Sequence, residues 1–249
     1  MRLLNNLADR IISFLYPKRC LGCDKIISRK YFCKACEENI KYITVKTCSD
    51  CGLPMKYCAC KHNFYYFDEM ISCFEGNEET KQAFYSFKFR GNYMGGRFFA
   101  KEMAKRVKQS PSFENFDIVT SVPSHKSTVR EREYDQVAVL AKHIAKEIKI
   151  KYKPILRQPK RAAKQHESVG IDKRFENVKS KYSLIKRSNV KDKTVLLVDD
   201  IKTTGATLSQ CARELKLAGA HRVCVVTALT IYPKPKEENK SSQKTADIF

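Results

Sequence analysis

The sequence predicts an α/β domain with a mostly parallel sheet, preceded by a cysteine-rich module, and three observations carry that prediction. Val195-Leu196-Leu197-Val198 is a short apolar, β-forming run that ends in Asp199-Asp200, a loop of small residues and a helix-like pattern from Leu208 to Leu217. Further apolar strand patterns lie at Asp117–Val122, before a helical pattern through Val137, Leu140, Ile144 and Ile148, and at Val223–Leu229. Ahead of all these, most of the cysteines of the chain crowd into positions 20–60.

The first run is the most informative. In an open α/β sheet, ligands bind outside the carboxyl ends of the strands. A tight loop entering a helix there aims several N–H donors and the positive end of the helix dipole at an anion. Gly205 allows close backbone approach, and Thr203, Thr204 and Thr207 add hydroxyl donors, which suits a phosphate monoester. Asp199 and Asp200 would repel a phosphate but pair well with vicinal hydroxyls or a hydrated divalent ion. Acids beside an anion cradle imply a ligand with hydroxyls at one end and a phosphate at the other, such as a ribose 5-phosphate. The plainer alternative is a strand–turn–helix whose Asp and Thr only cap the helix. The Gly-x-x-x-x-Gly-Lys spacing of a P-loop is missing, which disfavours a nucleotide triphosphatase.

Cys20-x-x-Cys23, Cys33-x-x-Cys36, Cys48-x-x-Cys51 and Cys58-x-Cys60 supply eight thiolates, enough for two closed tetrahedral Zn²⁺ sites. Sequential loading gives one site from the first four cysteines and another from the last four; interleaved loading, one ion only, and His62 in place of Cys60 are alternatives. A closed all-cysteine site stabilises and recognises and does not catalyse. Cys73, Cys211 and Cys224 stand alone in apolar surroundings and read as core.

The formal net charge is +21, and residues 149–193 hold fifteen Lys or Arg against four acids, a net of +11. Such a segment suits polyanions: nucleic acid, an anionic membrane surface or pyrophosphate-bearing ligands. Residues 1–16 read as an amphipathic helix with no signal-peptide core, 17–66 as the zinc module, 67–232 as the α/β domain and 233–249 as a disordered polar tail. No stretch reaches the roughly 20 apolar residues of a membrane span, and a cytoplasmic protein is expected. The Ala218-Gly219-Ala220 stretch ends the last helix, with Gly219 as its C-cap.

The Asp199–Thr207 run resembles the phosphoribosyl-pyrophosphate (PRPP) motif of type I phosphoribosyltransferases, and the expected sheet is of that type. The resemblance implies that Asp199 and Asp200 hold the ribose hydroxyls and that Lys202, Thr203, Thr204, Gly205, Ala206 and Thr207 form the 5′-phosphate loop, with Mg²⁺ accompanying PRPP. The zinc-ribbon cysteines, Lys88-Phe89-Arg90-Gly91, Val122-Pro123-Ser124-His125-Lys126, Arg132 to Gln136, Arg161 to Gln165, Arg174 to Asn177 and the PRPP motif follow in that order. Together they resemble the ComF family, competence proteins with an N-terminal zinc ribbon and a C-terminal phosphoribosyltransferase domain. That resemblance implies handling of incoming single-stranded DNA during natural transformation, with a helicase or DNA-processing partner. Ser124, His125, Lys126, Arg132 and Arg174 are the candidates on the pyrophosphate side.

Two segments depart from the family pattern. Glu133 and Asp135 stand where Gly and Asn are usual, and Ala162 stands where a Thr is expected. Extra negative charge near the pyrophosphate loop argues for ligand binding over turnover. Three functions compete: a PRPP-binding regulator that handles ssDNA, an active transferase acting on an amine or base, and a zinc-ribbon adaptor with a degenerate site.

Overall fold

The computed structural model describes residues 17–28, 31–58, 60, 65–89, 93–132, 134–158, 181–186 and 188–232, with the backbone alone at 89, 93, 94, 126 and 132. The expected N-terminal helix, His62, Arg90, Glu133, Arg161–Gln165, Arg174, Asn177 and the tail lie outside the described residues, as do the side chains of Lys126 and Arg132.

The chain first forms a short helix, α1 (Lys34–Asn39), and a 3₁₀ turn over Met55–Tyr57. Next come β1 (Glu69–Glu75), α2 (Glu78–Phe89) and α3 (Tyr93–Gln109). They are followed by β2 (Ile118–Ser121), α4 (Lys126–Arg132) and α5 (Gln136–Ile148). A small antiparallel pair, β3 (Leu156–Arg157) and β4 (Ser183–Leu184), precedes β5 (Thr194–Lys202), α6 (Ala206–Leu217) and β6 (Arg222–Thr230). The main sheet has the order β1-β6-β5-β2 with every pair parallel.

Both faces of that sheet are covered, so its strands read as continuous apolar runs. Side chains still alternate along β5. Leu196 and Val198 join a core with Phe84, Phe87, Phe99, Met103, Leu140 and Ile144 from α2, α3 and α5. Val195 and Leu197 face the other way, onto Leu208, Cys211 and Leu215 of α6. Phe98, Phe99, Met103 and Val107 form the buried stripe expected of α3, and Cys73, Cys211 and Cys224 are core. One polar pair crosses this interior: Ser72 and Thr227 share a hydrogen bond at 2.8 Å.

One local expectation changes. Strand β5 does not end at Val198: it continues through both aspartates, with Asp199 opposite Thr227 and Lys202 opposite Thr230. A long β6 beside it keeps the ladder going, and each aspartate carboxylate accepts the N–H of the next residue, so the acids are compatible with extended backbone. Lys88 lies in the last turn of α2.

Helix α6 closes as its sequence requires. Gly219 sits one residue past the cap Ala218 at φ +89°, and the N–H groups of Gly219 and Ala220 bond to Lys216 O and Leu215 O at 2.9 and 3.0 Å. This is a Schellman end, in which glycine alone carries the left-handed conformation without penalty. Gly219→Ala should lower stability by about 1 kcal/mol, read as a shift in urea midpoint at unchanged m-value.

Candidate functional site

Strand β2 ends opposite Val198, with Val122 N–H donating to Val198 O at 2.9 Å, so the acids of β5 lie just past the end of β2. From that edge the two acids of β5 leave in opposite directions, as alternation demands. Asp199 follows the parity of Val195 and Leu197, towards α6, where its charge acts on Cys211 and Tyr182. Asp200 follows Leu196 and Val198, towards α2, where its carboxylate pairs with the Lys88 ammonium. Asp199 is 8% exposed. Burial, reinforced by the adjacent Asp200 charge, raises its carboxyl well above the ordinary 3.8.

In the sequence Lys88 stands out only as the first residue of Lys88-Phe89-Arg90-Gly91. The structure makes it the partner of the second acid, with both side chains mostly buried. Its ammonium also lies 5.5 Å from the Phe84 ring centroid. The helix end that carries it is clamped: Tyr134 Oη donates to Phe87 O at 2.8 Å and Gln136 Nε2 donates to Lys88 O. Carbonyls at a helix C-terminus have no partner within the helix, and these two side chains supply it.

Asp135, expected as an intruding charge on the pyrophosphate side, has a role in the fold. It is the N-cap of α5, accepting from Ala138 N at 3.1 Å and from Ser124 Oγ at 2.9 Å. Asp and Asn serve almost equally well as N-caps, so this departure preserves the local structure. Ser124 is thereby tied to the α5 terminus. His125 is exposed, with Nδ1 and Ser127 Oγ 2.6 Å apart.

Beyond β5, Thr203 and Thr204 are exposed and Gly205 turns the chain into α6 at φ +82°. Thr204 Oγ1 accepts from Ala206 N at 3.3 Å, and Tyr65 Oη donates to Thr204 O at 3.1 Å. A Cβ at Gly205 would meet Tyr65 Cε1 at 3.1 Å and Lys202 Cε at 3.7 Å, so the loop is packed from beneath by both. Tyr182 reaches the loop from the β4 side, hydrogen-bonded to Thr207. Lys202 sits apart from the exposed loop residues: its side chain is 3% exposed. Burial lowers its pKa, and the charges of Cys51, Cys60, Cys58 and Cys48 oppose that shift. The linker Tyr65–Phe67 and the buried Lys202 thus join the cysteine module to this loop, a link that motif reading missed because it needs tertiary contacts.

The cysteines gather as two groups of four, Cys20, Cys23, Cys33 and Cys36, and Cys48, Cys51, Cys58 and Cys60, with the sulfurs of each group within 4.8 Å of one another. Sequential pairing therefore holds, and Cys60 belongs to its group. The contacts Cys23–Cys33 at 3.6 Å, Cys48–Cys60 at 3.5 Å and Cys51–Cys58 at 3.7 Å approach the edge of a ZnS₄ tetrahedron, about 3.8 Å. Burial opposes the Cys20 thiolate, but N–H groups of Cys23, Cys33 and Gly22 outweigh it and bring the thiol down to about 7. The N–H of Cys60 brings Cys58 down to about 7 as well. Donor type, number and spacing fit one structural Zn²⁺ in each group, each closed by four thiolates with no position for water.

Comparison with known proteins agrees with this architecture. Residues 11–66 match the double zinc ribbon domain and residues 136–248 the phosphoribosyl transferase domain. Competence protein F of Haemophilus influenzae is 24% identical over 219 residues, covering 83% of this chain and 94% of that protein. Competence protein ComFC of Bacillus subtilis is 23% identical, covering 78% of this chain and 87% of that protein. Among solved structures, adenine phosphoribosyltransferase from Thermoanaerobacter pseudethanolicus aligns at a TM-score of 0.38 and 13% identity, over 57% of this chain and 83% of that one. The chain is a double-zinc-ribbon protein with a phosphoribosyltransferase domain. Along most of its length the chain is similar to the competence proteins F and ComFC. Among the described residues, no helix is long and apolar enough to cross a membrane.

Two outcomes are expected. Metal analysis should find two zinc ions per chain, and Cys58→Ser should release one of them and lower the melting temperature. For Asp199, the folded state holds its proton to higher pH than the unfolded chain does. Its contribution to stability is therefore most favourable below the ordinary 3.8 and is lost as pH rises through the raised value. Asp199→Asn should raise the melting temperature at neutral pH, with a gain over wild type that shrinks towards about pH 4.

Proposed function

We propose that the edge formed by β5 and α6 binds PRPP, with the ribose hydroxyls on Asp199 and Asp200 and the 5-phosphate in the loop from Lys202 to Thr207. The observation that carries this reading is the pairing of functions on one short segment. Asp199 and Asp200 near the end of β5 are acceptors suited to hydroxyls, and the five residues after the strand carry the exposed hydroxyls of Thr203, Thr204 and Thr207 at the N-terminus of α6. In that ligand set Lys202 acts from below, holding the loop, while Thr203, Thr204, Gly205, Ala206 and Thr207 face the phosphate. Ser124, His125, Lys126, Arg132 and Arg174 remain the candidates for the pyrophosphate, which Mg²⁺ would accompany.

Similarity to proteins named for competence supports a part in natural transformation, in the handling of incoming single-stranded DNA in the cytoplasm beside a helicase or other DNA-processing protein. The net charge of +21 suits that partner. The zinc module over 17–66 then serves as the rigid recognition element ahead of a ligand-binding domain over 67–232.

A second reading, transfer of the phosphoribosyl group to an amine or base, gains from the position of Asp135. Its carboxylate is engaged by Ser124 and Ala138 N, so it is not a free charge facing the leaving group. Such chemistry rests on positioning and leaving-group stabilisation more than on a general base.

PRPP with Mg²⁺ should raise the melting temperature of the wild type by several degrees, and the double variant Asp199→Ala, Asp200→Ala should lose that shift. A wild type that melts unchanged at millimolar PRPP would remove the ligand assignment. Pyrophosphate release with candidate acceptors separates transferase from sensor.

A further inference from the structure

We propose that Lys88 determines which sugar phosphates the β5 edge accepts, by demanding a ligand that carries an anion beside its vicinal hydroxyls. The inference rests on the PRPP reading of the site and adds a selection rule to it.

Lys88 is not one cation among many on a basic surface. It comes from α2, more than a hundred residues before Asp200, and its side chain is only 12% exposed where it meets that carboxylate. The end of α2 has little freedom to withdraw it, since Tyr134 and Gln136 hold the carbonyls of Phe87 and Lys88. Gln136 is itself 2% exposed, so the clamp belongs to the core and not to a mobile surface. Phe84 lies along the side of the ammonium. The charges of Asp200 and Asp135 raise the Asp199 carboxyl, and that of Lys88 lowers it.

The consequence follows from desolvation. While the site holds no ligand, Lys88 and Asp200 neutralise one another. A diol that takes the Asp200 carboxylate as acceptor competes with that ion pair and leaves a mostly buried ammonium short of a partner, which is strongly unfavourable. A ligand whose sugar also carries pyrophosphate at the neighbouring carbon gives the ammonium a new anion within reach of its flexible four-carbon stem. Ribose 5-phosphate offers hydroxyls and a distant phosphate but nothing for Lys88. The loop after β5 cannot make this distinction, because both ligands present it with the same 5-phosphate.

The test is calorimetric titration of wild type and Lys88→Met with PRPP and with ribose 5-phosphate, at fixed Mg²⁺. Methionine keeps an unbranched apolar side chain against Phe84 while removing the charge. Wild type should prefer PRPP by tenfold or more, and Lys88→Met should reduce that ratio by about tenfold or more, with ribose 5-phosphate binding equal or tighter. Lys88→Arg should keep most of the preference, since the charge remains. An unchanged ratio in folded Lys88→Met overturns the selection rule and leaves the PRPP site standing. A wild type that binds neither ligand overturns both. If Lys88→Met does not fold, Tyr134→Phe provides the second measurement: it keeps the charge but frees the helix end, and it must lower the same ratio for the proposal to hold.

Discussion

Two neighbouring carboxylates at the end of a buried central strand are an electrostatic problem, and much of the surrounding structure is its solution. Water cannot screen Asp199, so its carboxyl is pushed towards the neutral form. Asp200 is instead given a counter-ion, the Lys88 ammonium from α2. Placing it requires α2 to end at a fixed height, which the hydrogen bonds from Tyr134 and Gln136 accomplish. Asp135 then starts α5 immediately after Tyr134, so one turn of chain clamps one helix and begins another. Natural proteins retain such costly buried charges chiefly at functional sites.

The cysteine module is joined to this edge at several points. Met70 N–H bonds to Ser49 O at 2.8 Å, carrying the second cysteine group onto β1. Tyr57 stacks on Tyr232 just beyond β6, with centroids 4.4 Å apart. Tyr65 stacks on Phe67 and donates to the loop ahead of α6. A ribbon of this size has little apolar interior of its own, so metal ligation supplies the stability that a core would otherwise give. Thiolates gathered around a metal ion would favour the charged form of the buried Lys202 ammonium, against the effect of burial.

What could be read from the sequence follows the reach of each interaction. The run from Thr194 to Leu217 was legible because strand, acids, loop and helix are contiguous, and their patterns alone fix their order. The two cysteine groups were legible because short spacings leave few ways to close a tetrahedron. Lys88 was visible as a cation but not as the partner of Asp200, since that depends on which end of the sheet α2 reaches. Asp135 looked like an added charge because its acceptor role needs Ser124 and the start of α5 in place. The extension of β5 through Asp199 and Asp200 depended on the length of β6, which local propensity does not encode.

The strand order β1-β6-β5-β2 also sets a timetable for the nascent chain. The first strand of the sheet pairs with the last, and β5 acquires its second neighbour only when β6 arrives. Roughly 150 residues separate the partners, which at ribosomal rates is on the order of 10–30 s. During that interval the apolar segment Met70–Phe74 has an unpaired edge of the kind that invites aggregation. The cysteine module is synthesised before it, and its Ser49 carbonyl accepts from Met70 N–H at the start of β1, so the first contact open to that strand is with the metal-binding segment rather than with the sheet.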